Sequence, residues 1–429
     1  MTNETNSHRF FCFRVLSLTA LTVGLALFGL PGCGGSGSQE SLRDSGAPRD
    51  GGPSDGSSPD AQTPPDAGEP NTAMPLLGRG THLSLKITFE PLPEPTSTIA
   101  DGLWNDALEA GMTTGRIHLD WASVETGPNT YDKEVLRENL ESMKADGLVP
   151  FVGLYAIDTE GLTVPPDLLD ETEATSLVGG ISMDDPLVVD RYKAMLDWAV
   201  PLIVEEGGYI LSIANEPDGY MEDRPDEVDN VIHFYEEAIE HAHTLEPELA
   251  MTVTLTGAPV DAKKFFHDDV MAVVDVASYN YYCLRLTDKF ELRSPLAETV
   301  PEDLAKLVEA SNGKEVVLHE LGCPAGWTHR DSVIGSSEAK QQEFFELAFQ
   351  QFRSTPELRA AYVFQMVDWS QELTELYVEA FEDEPLPPDF LDSFKEWLET
   401  SGFITYYEGR IRSAWAVFLE HIEAEAASR

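Results

Sequence analysis

The chain has 429 residues, 42% of them hydrophobic, which is enough for one large core and leaves room for more than one domain. Its 76 acidic residues against 28 basic ones give a formal charge of −48. A charge this negative excludes nucleic acids and other anionic polymers as partners and keeps the protein soluble; an acidic solvated surface and adaptation to a saline habitat are both compatible with it.

Arg9 and Arg14 stand before an apolar run over residues 15–30, about as long as the hydrophobic region of a signal peptide and short for a membrane span. The run ends in Leu30-Pro31-Gly32-Cys33, which resembles a bacterial lipobox with Pro31 where a small residue is usual. The resemblance implies removal of residues 1–32 as a lipoprotein signal peptide, lipidation of Cys33 and, with Gly34 next, export to the outer membrane. An ordinary secretory signal is the alternative. Residues 33–75 are rich in Gly, Ser, Pro and Asp and carry almost no large apolar side chain. Such a segment cannot offset its ordering entropy and reads as a flexible tether. The protein is therefore expected at the cell envelope, touching a membrane only through a lipid anchor, or else secreted.

From residue 76 onward short apolar runs alternate with amphipathic stretches. The runs fall at 77–85, 114–121, 148–157, 209–216, 250–256, 275–284, 315–322 and 360–369. Helical patterns lie between and after them, at 99–110, 133–146, 186–206, 229–245, 262–273, 301–312, 337–353 and 412–426. Alternating strand and helix implies a parallel sheet. Eight repeats suit an α/β fold with a single (β/α)8 TIM barrel over residues 76–429. An open doubly wound sheet would want a Gly-rich nucleotide loop after its first strand; Gly78-Arg79-Gly80 lacks that pattern and precedes the strand. Two connections are long, 158–183 after the third strand and 371–409 after the eighth, the latter with a helix of its own near 389–400. Long loops on the strand C-terminal side shape substrate clefts.

Of the four cysteines, Cys12 leaves with the signal and Cys33 takes the lipid. Cys283 and Cys323 fall at the ends of the sixth and seventh strands, which are neighbours. Two buried free thiols are expected there, with a disulfide open to them in an oxidising compartment. No Cys/His spacing suggests zinc, and no metal or other cofactor is expected.

Two segments carry the chemistry: Ile213-Ala214-Asn215-Glu216-Pro217 and Val316-Val317-Leu318-His319-Glu320-Leu321-Gly322. Each is an apolar run ending in a glutamate followed closely by Pro or Gly, which places a carboxyl group at a strand terminus. In a parallel barrel the strand C-termini form the active face. The Asn-Glu-Pro tripeptide and the apolar-His-Glu-Leu-Gly run resemble the fourth and seventh strands of the clan of retaining glycoside hydrolases with a (β/α)8 barrel, in a pattern like that of glycoside hydrolase family 5. The resemblance covers residue 76 to the C-terminus and implies retaining hydrolysis of β-glycosidic bonds, with Glu216 as acid/base, Glu320 as nucleophile and Asn215 on the sugar 2-hydroxyl.

In the second strand, Arg116, His118 and Asp120 alternate with apolar residues and so share one face. Three polar groups face an apolar helix layer only at high cost, so they are expected inside the barrel. By resemblance Arg116 hydrogen-bonds the nucleophile, while His118 and Asp120 bind sugar or brace the barrel. Tyr282 matches the clan's tyrosine that touches the nucleophile; Asn280 stands where many members have a histidine and is read as substrate-binding. Tyr281 is expected among the helices. Alternation likewise turns His319 outward, as a packed histidine between strand and helices. Trp104, Trp198, Trp397 and Trp415 lie in helical patterns and read as core. Trp121, Trp327 and Trp369 lie at or just after strand ends, where a ring stacks on sugar; Trp369 matches the floor of the clan's −1 subsite. The substrate is thus a polysaccharide or oligosaccharide, with glucan, mannan, galactan and xylan all compatible. The rival reading is a barrel that binds carbohydrate at the envelope without cleaving it. A metal-dependent barrel hydrolase would want a His-x-His pair after the first strand, which is not present.

Overall fold

The computed structural model describes residues 82–85, 92–159, 161–170, 175–222, 224–257, 264–286, 292–295, 297–327, 335–379 and 388–428. The expected signal peptide, Cys33 and the expected tether lie outside them. Eight strands form the barrel: β1 (His82–Leu85), β2 (Thr114–Asp120), β3 (Val149–Asp158), β4 (Ile210–Asn215), β5 (Ala250–Thr256), β6 (Ala277–Tyr282), β7 (Val316–Gly322) and β8 (Leu358–Val363). They pair in parallel in the order β1-β8-β7-β6-β5-β4-β3-β2, and the two end strands, β1 and β2, come back into contact. The sheet curls on itself in the manner of a (β/α)8 fold.

Helices α1 (Thr96–Ala110), α2 (Lys133–Ala145), α3 (Pro186–Glu205), α4 (Val228–Leu245), α5 (Lys264–Val273), α6 (Val300–Ala310) and α7 (Glu338–Ser354) follow successive strands. Their ends are set locally. Asp185 accepts from Leu187 N ahead of Pro186 at the start of α3, and Ser337 accepts from Lys340 N at the start of α7. Gly111 closes α1 at φ 107°, a left-handed conformation that favours glycine. The connection after β8 holds α8 (Gln371–Glu379) and α9 (Pro388–Leu398), and the chain ends in α10 (Ala414–Ser428).

The strands read as near-continuous apolar runs because both of their faces are buried. Outward residues such as Leu211, Val253, Tyr281 and Leu318 pack on the helices in one large cluster. Inside, Phe151, Ile210, Ala250, Val276, Val317, Ala360 and Tyr362 plug the lower barrel. Above them the interior turns polar, with buried hydroxyls linked strand to strand: Ser212 to Thr254 at 3.2 Å and Thr254 to Ser278 at 2.9 Å.

Two expectations are corrected by the fold. β8 ends at Val363, not 369; the backbone from Phe364 then leaves the sheet and runs beside residues 402–404, where Val367 bridges Ile404. Cys283 and Cys323 are joined in a disulfide with Cα atoms 5.0 Å apart, rather than standing as free thiols. Their strands are adjacent and their residues follow directly on the paired Tyr282 and Gly322, so the register alone brings the sulfurs together.

A candidate active site at the strand ends

The strands that carry the candidate site are irregular where they reach it. β7 holds one extra residue between Leu318 and Glu320 against β6 and between Leu318 and Leu321 against β8, and β4 holds one extra against β5 between Ser212 and Asn215. Such bulges re-aim side chains. On β7 the extra residue is His319. It breaks the alternation, so Val317, His319 and Glu320 all face inward, and the expectation of an outward His319 is overturned. His319 is fully buried inside the barrel, its ring 4.8 Å from that of Phe151.

Glu216 follows β4 directly, with its backbone in the left-handed region at φ 47°. A non-glycine residue there costs about 1–3 kcal/mol, and such strain gathers at functional sites. The Glu216 amide donates to Thr254 O at 2.7 Å, which holds the turn. Its Oε1 accepts from Asn280 Nδ2 at 3.0 Å. Burial first, then the charges of Glu320 and Asp218, push this carboxyl well above the ordinary carboxylic range, against the Asn280 hydrogen bond.

Glu320 has different surroundings. Arg116 Nη1 donates to its Oε1 at 2.6 Å, and the Tyr282 hydroxyl donates to its Oε2. Acceptance on both oxygens, one bond coming from a guanidinium, is the pattern of a carboxylate. Arg116 also donates to His319 O at 3.1 Å. Burial, then Glu320 and Glu216, push the Tyr282 phenol well above its usual range, so it serves as donor.

Next to the glutamates lies a polar cluster anchored on Asp158, the last residue of β3. Its carboxylate accepts from His118 Nε2 and from Asn215 Nδ2, each at 2.9 Å, and from the Thr159 hydroxyl at 3.0 Å. Burial pushes Asp158 up, but these hydrogen bonds outweigh it and hold the group below its ordinary value. His118, Asp120 and Asp158 bring their ligand atoms within 4.8 Å of one another, the one such trio among the described residues. His118 Nε2 and the Asp158 carboxylate are engaged with each other, and Asp158 also with Asn215 and Thr159.

The cavity between these groups is lined by His118, Asp158, Asn215, Glu216 and Glu320 on its polar side. Tyr282, Phe364, Trp369, Tyr377, Phe394 and Trp397 form an apolar wall opposite. Its free space is about 20 Å³, close to what one water occupies.

The structure thus gathers Arg116, His118, Asn215, Glu216, Tyr282, Glu320 and Trp369 at one site. It does not bring Trp121 there. That ring is fully buried behind the barrel, donates to Glu125 Oε2 at 2.8 Å and packs edge-on against Tyr192. Trp121 begins a short helix (Trp121–Val124), which turns it away from the strand end. Asn280 reaches the site but not the cavity wall, because Asn215, Glu216 and His319 occupy its amide. The side chain of Trp327 lies outside the described residues. Trp397, expected in the core, does pack into an aromatic cluster, and that cluster is the cavity's wall. Asp158, Phe364, Tyr377 and Phe394 went unread as site residues. The first closes an apolar run as the two glutamates do, which was a usable signal; the aromatic ones depend on how the 371–409 connection folds back.

No family model matches the sequence and no curated protein matches it. Solved structures do match in fold. One is an exo-β-1,4-mannosidase from an Opitutaceae bacterium, with a TM-score of 0.56 at 16% identity, over 81% of this chain and 60% of that one. Another is a GH5_18 protein from Bifidobacterium longum subsp. longum in complex with Manβ1-4GlcNAc, with a TM-score of 0.57 at 15% identity, over 81% of this chain and 79% of that one. A third is a fungal β-1,4-galactanase, with a TM-score of 0.52 at 15% identity, over 80% and 99% of the two chains. Its fold neighbours are glycoside hydrolases. At these identities the likeness is one of fold, and the chain spans only 60% of the mannosidase it matches.

Proposed function

We propose that the protein is a retaining β-glycoside hydrolase acting on a polysaccharide or oligosaccharide. The observation that carries this is the unequal pair of buried carboxyl groups on one cavity. Glu216 is pushed up toward the protonated form, while Glu320 accepts from Arg116 and Tyr282 on its two oxygens. Glycoside hydrolysis needs one group of each kind, and retention is what the resemblance to glycoside hydrolase family 5 implies. Glu216 protonates the glycosidic oxygen as Glu320 attacks the anomeric carbon; the Glu216 carboxylate then takes a proton from water, which cleaves the glycosyl ester and restores both groups. Asn215 stands beside Glu216 to meet the 2-hydroxyl, and Trp369 offers a face to the sugar ring. The mannosidase, galactanase and Manβ1-4GlcNAc-bound neighbours support a β-linked substrate. The lipobox-like Cys33 and the 33–75 tether support a site held at the cell envelope.

Azide tests the assignment of roles. With an aryl β-glycoside bearing an activated leaving group, Glu216→Ala is expected to yield the β-glycosyl azide and Glu320→Ala the α-glycosyl azide. Glu216→Gln and Glu320→Gln are each expected to lose hydrolysis of unactivated substrate by at least about 10²-fold. Normal turnover by either Gln variant would overturn the reading.

A further inference from the structure

We infer that His319 is a positioning residue for the acid/base, acting through Asn280; this rests on the glycosidase reading above. A chain of buried hydrogen bonds with one possible direction runs from behind the site to Glu216. Asn280 Nδ2 lies 3.1 Å from Asn215 Oδ1 and 3.0 Å from Glu216 Oε1. Both are acceptors, so the NH₂ end of the amide must face them. Asn215 cannot be turned the other way, because its own Nδ2 donates to the Asp158 carboxylate at 2.9 Å. Asn280 therefore presents Oδ1 to His319 Nδ1, 2.9 Å away, and that nitrogen carries the hydrogen. In the neutral ring His319 Nε2 is then the acceptor for the Tyr155 hydroxyl at 3.0 Å. Donation runs Tyr155 to His319 to Asn280 to Glu216.

Each member is held from the side. The bulge on β7 turns His319 inward, and the rings of Phe151 and Tyr362 pack on it. Tyr155 folds over Gly153, where a Cβ would come within 2.1 Å of the phenol ring. With Oε1 engaged as an acceptor, the acidic hydrogen of Glu216 is left to Oε2, free for a leaving oxygen. Without the His319 donor, Asn280 Oδ1 is left buried without that partner, its Nδ2 is no longer held on Glu216 Oε1, and the acidic hydrogen is not confined to Oε2. The charged groups facing Glu216 are Glu320, Asp218 and Asp158.

The test compares two glycosides of one sugar, a dinitrophenyl glycoside that leaves without protonation and an alkyl glycoside that needs it. His319→Phe is expected to lower kcat/KM on the alkyl glycoside about tenfold or more, and on the dinitrophenyl glycoside by less than about threefold, within the range that general acid catalysis supplies. The alkaline limb of its pH profile moves up, and His319→Gln, which keeps an N–H for Asn280, recovers part of the loss. Tyr155→Phe removes only a hydroxyl and is expected to show the same split in smaller measure, should His319→Phe not fold. Equal losses on both substrates, or none on either, in the variants that fold would overturn the inference while leaving the glycosidase reading intact. A wild-type protein that turns over neither glycoside would overturn both.

Discussion

Glu216 combines three unfavourable features at one residue: a left-handed backbone, burial and three acidic neighbours. Such a residue lowers stability, and its chemistry explains its retention. Because its folded pKa is raised, the proton is bound more tightly in the native state. The associated stability is present below the unfolded pKa and lost as pH rises through the folded one. Glu216→Gln is therefore expected to raise Tm relative to wild type more at pH 8 than at pH 4, read by thermal melts across pH. Since Glu216 works as the protonated acid, activity falls as pH rises through its pKa. Asp218→Asn removes a neighbouring negative charge, lowers that pKa and is expected to move the alkaline limb of kcat/KM to lower pH. The motifs around Asn215-Glu216 and Glu320, and the alternating Arg116 and His118, were legible because a polar residue inside an apolar strand has few places to go. His319 was misread because strict alternation cannot anticipate a bulge. Asn280 was misplaced because its partners lie on β4 and β7, which no local pattern reveals.

At the level of elements, strand and helix existence followed from hydrophobic periodicity, and β3, β5, β7 and α3 lie where that pattern puts them. The end of β8 did not. The apolar content of residues 360–369 continues past Val363, but there it packs against residues 402–404 and the aromatic helices α8 and α9 instead of extending the sheet. Buried Asp368 fastens this segment, pairing with Arg412 Nη1 and Nη2 at 2.7 and 2.6 Å and accepting from Gly402 N at 2.8 Å. The disulfide clasps the ends of β6 and β7 just beyond Tyr282 and Glu320, closing a separation of 40 residues. By the chain-entropy estimate a loop of that length is worth about 4 kcal/mol. Cys283→Ala/Cys323→Ala, or wild type under reductant, is expected to unfold at lower temperature and to lose activity below its Tm as the two strand ends loosen; unchanged melting under reductant would contradict this role.

Over the whole molecule, the barrel brings to one face residues from β2, β3, β4, β6 and β7 that are up to 204 positions apart in the chain. That convergence is a property of the fold, and an alternating strand–helix pattern was sufficient to expect it. The covering of the site was less legible, since it depends on tertiary packing of α8 and α9. A formal charge of −48 makes self-repulsion a global term. Near 1 M salt the screening length falls to about 3 Å, so Tm is expected to rise steadily from low salt to 1 M sodium chloride, while KM for an uncharged glycoside stays level. A Tm that falls over that range would mean that specific ion pairs outweigh the general repulsion.

The most direct test exposes the protein to 2-fluoro-β-glycosides with activated leaving groups and reads the intact mass, followed by peptide mapping. A single-sugar adduct on Glu320 is the predicted result, and the sugar that reacts names the −1 specificity. Measurable polysaccharide binding without an adduct from any sugar would contradict a retaining glycosidase and leave a barrel that binds carbohydrate without cleaving it.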